Sequence, residues 1–167
     1  MDVPIYLLES EHDRTLFDCG EPELNAYIKQ SATQNARNNL SKTHVWIKDN
    51  KVAGFYTISM GEISPTSIPA NLAKRLPRYP VAIARIARLA IDLTHQGNGS
   101  GKALLLHALE NCHRLSQTIG MYAVLVDAKH QRAKAFYQRH GFQPLPDKEL
   151  TLFITTKTLK KLFSQNS

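Results

Sequence analysis

Residues 95–110 read HQGNGSGKALLLHALE, three glycines within five positions and then a leucine-rich run at helical spacing. Glycine lacks a Cβ and tolerates positive φ, so such a cluster lets a backbone come close to another group. Ahead of a helix, the turn suits an anion. The first helical N–H groups have no acceptor within the helix, and the peptide dipoles add partial positive charge there. The usual anion in that position is a phosphate, and a plain glycine-rich turn is the alternative reading.

Two phosphate loops fail the count. A Walker loop needs glycine five positions before Gly101-Lys102, where Gln96 stands, and Ala103 replaces the hydroxyl that would hold magnesium. A dinucleotide fingerprint starting at Gly97 would need glycine at position 102, which is Lys102, and the acidic residue expected about 20 positions on is missing from HRLSQ. The pattern that fits is Gln-x-x-Gly-x-Gly, met by Gln96, Gly99 and Gly101.

Outward from the loop, VAIARIARLAID (81–92) is apolar and β-branched enough for a buried strand, although it carries Arg85 and Arg88. A helix is expected from about residue 101 to 117, with Leu104, Leu105, Ala108, Leu109, Cys112 and Leu115 as its apolar face. MYAVLVD (121–127) reads as a strand, QRAKAFYQRH (131–140) as a short helix stopped by Gly141, and ELTLFITT (149–156) as a final strand. Toward the N-terminus, Pro22 opens a polar helix over 22–39, and THVWIKD (43–49) and KVAGFYTISM (51–60) form a hairpin around Asp49-Asn50. Four prolines break residues 64–80, leaving room for a short helix at 69–76. This order predicts an α/β fold with a mixed sheet, in one domain over residues 1–167.

The bulk numbers agree with a folded chain: 167 residues, 43% hydrophobic and 21% charged. No stretch is long and apolar enough for a membrane span, and MDVPIYLLESEHDR lacks the pattern of a signal peptide, so a cytoplasmic location is expected and no membrane. Cys19 and Cys112 are isolated, and the seven histidines show no ligand spacing, so no metal is expected. Lysine and arginine outnumber acids 21 to 14, a net charge of +7, which fits either a polyanion partner or an ordinary basic surface.

AKAFYQRHGF (133–142) follows the strand at 121–127 with the pattern A-x-x-F-Y-x-x-x-G-F. Together with the Gln-x-x-Gly-x-Gly loop, it resembles the Gcn5-related N-acetyltransferases (the GNAT superfamily), and the match runs in order from Arg88 to Phe142. FDCGEPELNAYIKQSATQN (17–35), SKTHVWIKDNKVAGFYTIS (41–59) and RIARLAID (85–92) resemble more narrowly the acetyltransferase toxins of bacterial toxin–antitoxin pairs. The resemblance implies a GNAT-type, mostly antiparallel sheet flanked by helices, acetyl-CoA as co-substrate, and acetylation of the amino acid on a charged tRNA, which blocks translation. It also implies a ribbon-helix-helix antitoxin and a homodimer.

In that family the tyrosine of the FY pair protonates the departing thiolate, and Tyr137 occupies its position; a core tyrosine beside Phe136 is the bland alternative. Leu89, Ala90 and Ile91 would offer backbone groups to pantetheine, with Phe136 lining its channel or simply packing in the core. Gln96, Gly97, Gly99, Ser100, Gly101 and Lys102 would hold the pyrophosphate. No general base is evident, since Asp92 fits a cap or turn equally well. That gap suits an α-amine, with a pKa near 7.7–8.0 and lower once esterified, better than a lysine near 10.4. Lys29, Arg37, Arg75, Arg78, Arg85 and Arg88, with Lys42 nearby, are candidates for tRNA phosphates; singly, each fits a solvated or structural charge as well. Two other readings stay open: a related enzyme acting on a small amine or a protein N-terminus, and an idle module that binds acyl-CoA or RNA.

Overall fold

The computed structural model describes residues 3–164. Its strands are β1 (Ile5–Leu7), β2 (Lys42–Lys48), β3 (Lys51–Ile63), β4 (Val81–Ile91), β5 (Ala123–Asp127), β6 (Gln143–Leu145) and β7 (Lys148–Thr155). They form a sheet in the order β1-β2-β3-β4-β5-β7-β6. The helices are α1 (Pro22–Ala26), α2 (Ala32–Arg37), α3 (Ala70–Ala73), α4 (Ser100–Ser116), α5 (Gln131–Arg139) and α6 (Thr156–Ser164). The expected α/β class with a mixed, mostly antiparallel sheet is what the chain adopts: β1-β2, β2-β3, β5-β7 and β6-β7 are antiparallel, whereas β4 and β5 are parallel.

The chain divides into two compact units, one comprising the chain up to Ser59 with Ala87–Ala108, the other Met60–Ile86 with the chain from Leu109 onward. In the first, β2 and β3 make the expected hairpin. Asp49 and Asn50 both take positive φ, 53° and 62°, the left-handed pair that a two-residue turn needs to match strand twist. Phe17, Leu24, Ile28, Val45, Phe55 and Ala90 form its core, with the Phe17 and Phe55 rings meeting edge-on at 5.4 Å. Gly54 is required there, because a Cβ would come within 2.8 Å of Ile91 Cδ1 and 3.1 Å of the Ala90 carbonyl. The second unit packs Ile63, Ile68, Ile83, Leu125, Leu145 and Phe153 together. The five residues from Leu104 to Cys112 expected on the apolar face of α4 are buried.

The differences from expectation have local causes. The expected helix over 22–39 widens into a π-turn at Tyr27–Ser31, so α1 and α2 are separate short pieces. The helix expected at 69–76 shrinks to α3, after a 3₁₀ turn at Pro65–Ser67 capped by Ser64. β1 and β6, three residues each, are too short to show a period, and β6 contains Pro144. Of the basic C-terminal stretch, residues up to Ser164 form α6, anchored by the fully buried Leu159; the final three lie outside the described residues.

Candidate active site

The loop of residues 95–99 lies in the first unit. Gly97 and Gly99 have φ of +82° and +86°, and a Cβ on either would meet nothing within 4 Å. Backbone conformation, then, demands glycine at both positions, and the space beside them is open. Asn98 closes the turn: its Oδ1 accepts from the Ser100 hydroxyl at 2.6 Å and from the Ser100 N–H at 3.4 Å. Ser100 is consequently buried, at 1% exposure. The first backbone bond into α4 runs from Ala103 N–H to the Gly99 carbonyl, and the N–H groups of Gly101 and Lys102 precede it. With the exposed Lys102 they offer what a pyrophosphate needs, and the donor set fits that group.

Gln96 braces this loop from below. Its Nε2 donates to the Ile91 carbonyl at 2.8 Å and to the Cys19 carbonyl at 3.2 Å, which ties the loop to the end of β4 and to the Asp18–Cys19 segment. Asp92 is a cap: its carboxylate accepts from the Thr94 N–H, the Thr94 hydroxyl and the Asp18 N–H. Partial burial works to raise its pKa, but those donors and His95 outweigh it, and the net shift is downward. Asp92 is thus unsuited to taking a proton.

Leu89, Ala90 and Ile91 end β4, whose parallel register with β5 runs from Ile83↔Ala123 to Ile86↔Val126. Ala90 and Ile91 are buried and Leu89 half-buried. Arg88, one residue earlier, stacks its guanidinium over the Tyr27 ring at 3.7 Å, a cation–π contact in the first unit. Lys42 donates to the Ala36 carbonyl at the end of α2, a C-capping contact.

Tyr137 lies in the second unit on α5, which His130 caps by accepting from the Ala133 N–H and which Gly141 ends at φ +95°. Edge-on contacts with Phe136 (5.3 Å) and Phe142 (5.6 Å) fix its ring. The residue is only 7% exposed, and among the described residues its hydroxyl has no hydrogen-bond partner. Burial, reinforced by the negative charge of Asp127, pushes the phenol up to about 12. It is therefore a fully protonated donor at physiological pH.

Sequence reasoning missed Asp127. It ends β5, and its carboxylate pairs with the Arg85 guanidinium at 2.6 Å while accepting from the Thr151 hydroxyl at 2.9 Å. The only sequence signal was an acid closing an otherwise apolar strand. Of the candidate cations, Lys29, Arg37, Arg75 and Arg78 are exposed, whereas Arg85 and Arg88 are half-buried and engaged as described. Lys29, Arg37 and Arg88 belong to the first unit, and Arg75, Arg78 and Arg85 to the second. Among the described residues no cluster of three metal-ligating side chains occurs, and no helix is long and apolar enough to cross a membrane.

A glycine loop ahead of α4 and a Phe-Tyr pair on α5, carried on this sheet, have a family. The acetyltransferase (GNAT) domain model matches residues 40–144, and the chain belongs to that family of acetyl-CoA-dependent acetyltransferases. It is 34% identical over 150 residues to a tRNA-acetylating toxin of Mycobacterium tuberculosis, covering 90% of each chain. A probable toxin TacT of Sinorhizobium fredii is 29% identical over 163 residues, 92% of this chain and 90% of that one. Among solved structures, AtaT complexed with acetyl-methionyl-tRNAfMet superposes with a TM-score of 0.90 at 29% identity, covering 97% of this chain and 99% of AtaT. A tyrosine-to-phenylalanine mutant of AtaT, bound to acetyl-CoA and the C-terminus of the antitoxin AtaR, gives 0.85 at 27% identity, with 99% of this chain and 100% of that one covered.

Proposed function

We propose that this chain works as a single GNAT domain that transfers acetyl from acetyl-CoA to the α-amine of an aminoacyl-tRNA, arresting translation as the toxin of a toxin–antitoxin pair. The observation that carries the reading is the near end-to-end similarity to a tRNA-acetylating toxin, in a chain that keeps both the glycine loop and the buried tyrosine. The proposal extends to a cytoplasmic homodimer silenced by a ribbon-helix-helix antitoxin.

The residues divide the work by chemistry. Gly97, Gly99, Gly101 and Lys102 receive the pyrophosphate, with Gln96 fixing the loop that presents them; Ser100, expected among these donors, is buried and spends its hydroxyl and N–H on Asn98, so it shapes the turn instead. Backbone groups of Leu89, Ala90 and Ile91 face the pantetheine, and Phe136 lines its channel. Tyr137 holds a proton toward the departing sulfur, whose thiol has a pKa of roughly 8.5. At about 12, the phenol begins as a hydrogen-bond donor to the developing thiolate. The acceptor nitrogen sheds one proton as the C–N bond forms and the sulfur gains one as the C–S bond breaks, so Tyr137 ends the cycle as a phenol. Lys29, Arg37, Arg75 and Arg78 supply exposed charge for tRNA phosphates, whereas Arg85 and Arg88, engaged by Asp127 and the Tyr27 ring, are held back from that role.

The test is incubation with labelled acetyl-CoA and total charged tRNA, followed by mild alkaline deacylation. Label that enters the tRNA fraction and leaves it as N-acetyl amino acid is expected. Label found only on protein or on free small amines would overturn the reading.

A further inference from the structure

A cavity of about 240 Å³ opens in the second unit, walled in part by Glu62, Arg85, Leu125, Asp127, Asp147 and Lys148. None of the co-substrate roles assigned above uses it. Its floor is built by strand register: Arg85 on β4 sits opposite Leu125 on β5, and Asp127 follows two residues on, on the same face. Both carboxylate oxygens of Asp127 are held, Oδ2 by Arg85 Nη1 at 2.6 Å and Oδ1 by the Thr151 hydroxyl at 2.9 Å. The carboxylate is thus fixed in orientation, while the Asp127 side chain stays 50% exposed and Arg85 34% exposed. The charge of this same carboxylate also reaches the Tyr137 phenol.

Resting on the aminoacyl-tRNA reading, we propose that this cavity receives the acceptor, with the Asp127 carboxylate taking a hydrogen bond from the α-amine of an aminoacyl ester. Three carboxylates and two cations line the walls named above, so the site favours an amine whose own carboxyl is masked. A free amino acid would bring its carboxylate against Glu62, Asp127 and Asp147; an ester brings none. Arg85 has a matching purpose. A lone carboxylate would favour the ammonium form of the acceptor and so remove the nucleophile, and the guanidinium offsets that pull while leaving an acceptor oxygen in place.

The probe is a panel of amino-acid methyl esters, each titrated against its free amino acid and followed by backbone amide shifts at Leu125 and Asp127. Esters are expected to bind the wild-type protein at least about tenfold more tightly than the free acids, because only the acids bring a further carboxylate against the three already there. Asp127→Asn should weaken ester binding by about tenfold while leaving acetyl-CoA affinity unchanged. Equal binding of ester and acid to the wild type overturns the proposal without any variant, as does undiminished ester binding in Asp127→Asn. If the ester preference holds and charged tRNA takes no label, the tRNA reading alone falls. Label on tRNA with no ester preference removes only the cavity assignment.

Discussion

The side-chain amide of Gln96 reaches under its own loop to the carbonyl of Ile91, 2.8 Å away, so the last residue of β4 and the first residue of the glycine motif are locked together. A second bond from the same nitrogen reaches Cys19. Gln96 thus acts by donation, and a carboxylate cannot donate. Two bonds of roughly 0.5–1.5 kcal/mol each are at stake, so Gln96→Ala should weaken acetyl-CoA binding by about tenfold or more. Gln96→Glu should be worse, since it adds negative charge beside the pyrophosphate and faces two carbonyls. Calorimetric titration with acetyl-CoA checks both, and unchanged affinity in Gln96→Glu would refute the brace.

Gly97 and Gly99 test conformation separately from space. A Cβ at either position meets no protein atom, so Gly97→Ala and Gly99→Ala should cost only the left-handed backbone penalty, about 1–2 kcal/mol, or a shift of the loop that avoids it. A modest drop in melting temperature is expected together with a clear loss of acetyl-CoA affinity. Full affinity in both variants would mean that the open space beside the loop holds nothing.

The loop and the FY helix were legible because their glycines and aromatics sit at fixed spacing, and Asp49-Asn50 announced the hairpin by turn chemistry alone. What stayed hidden depends on partners distant in sequence. Asp127 gains meaning only when the parallel register of β4 and β5 brings Arg85 within 2.6 Å. The cation–π contact joins Arg88 to Tyr27 across 61 positions, and no local pattern encodes it. The Tyr27–Ser31 widening likewise lies inside a stretch whose apolar spacing is ordinary for an α-helix.

Removing the hydroxyl of Tyr137 leaves the Phe136 and Phe142 contacts of its ring in place. Tyr137→Phe should therefore fold and bind acetyl-CoA as before but lose at least about 100-fold in turnover, the lower range for a positioned proton donor. A burst of turnover at the wild-type rate would remove Tyr137 from the chemistry.

The same phenol makes stability depend on pH at the alkaline end. Its pKa is about 12 in the folded protein and near 10 in an unfolded chain, so above pH 10 the unfolded state sheds the proton first. Stability is fully present below pH 10 and falls as pH rises toward 12, by on the order of 2–3 kcal/mol at the top of that window. Cys112, whose thiol burial pushes up to about 12, adds loss of the same sign beginning near pH 9. Urea midpoints of wild type and Tyr137→Phe should run parallel below pH 9 and separate between 10 and 12, with the wild type falling below the variant. Curves that stay parallel throughout would show that the phenol is not buried in solution.

Binding to tRNA should respond to salt in proportion to the phosphates neutralised, with the logarithm of affinity falling linearly against the logarithm of salt concentration. Arg75 and Arg78 are exposed and form no ion pair among the described residues, so each is free to meet a phosphate. Arg75→Ala and Arg78→Ala should each reduce the slope by roughly 0.7–0.9 and weaken binding to all charged tRNAs alike. Arg85→Ala should behave differently. Its guanidinium already compensates Asp127, so its loss should leave the salt slope nearly unchanged while disturbing acceptor use. Filter-binding isotherms between low and physiological salt separate the two classes; equal slopes in wild type and the Arg75/Arg78 double variant would place the tRNA on another face of the protein.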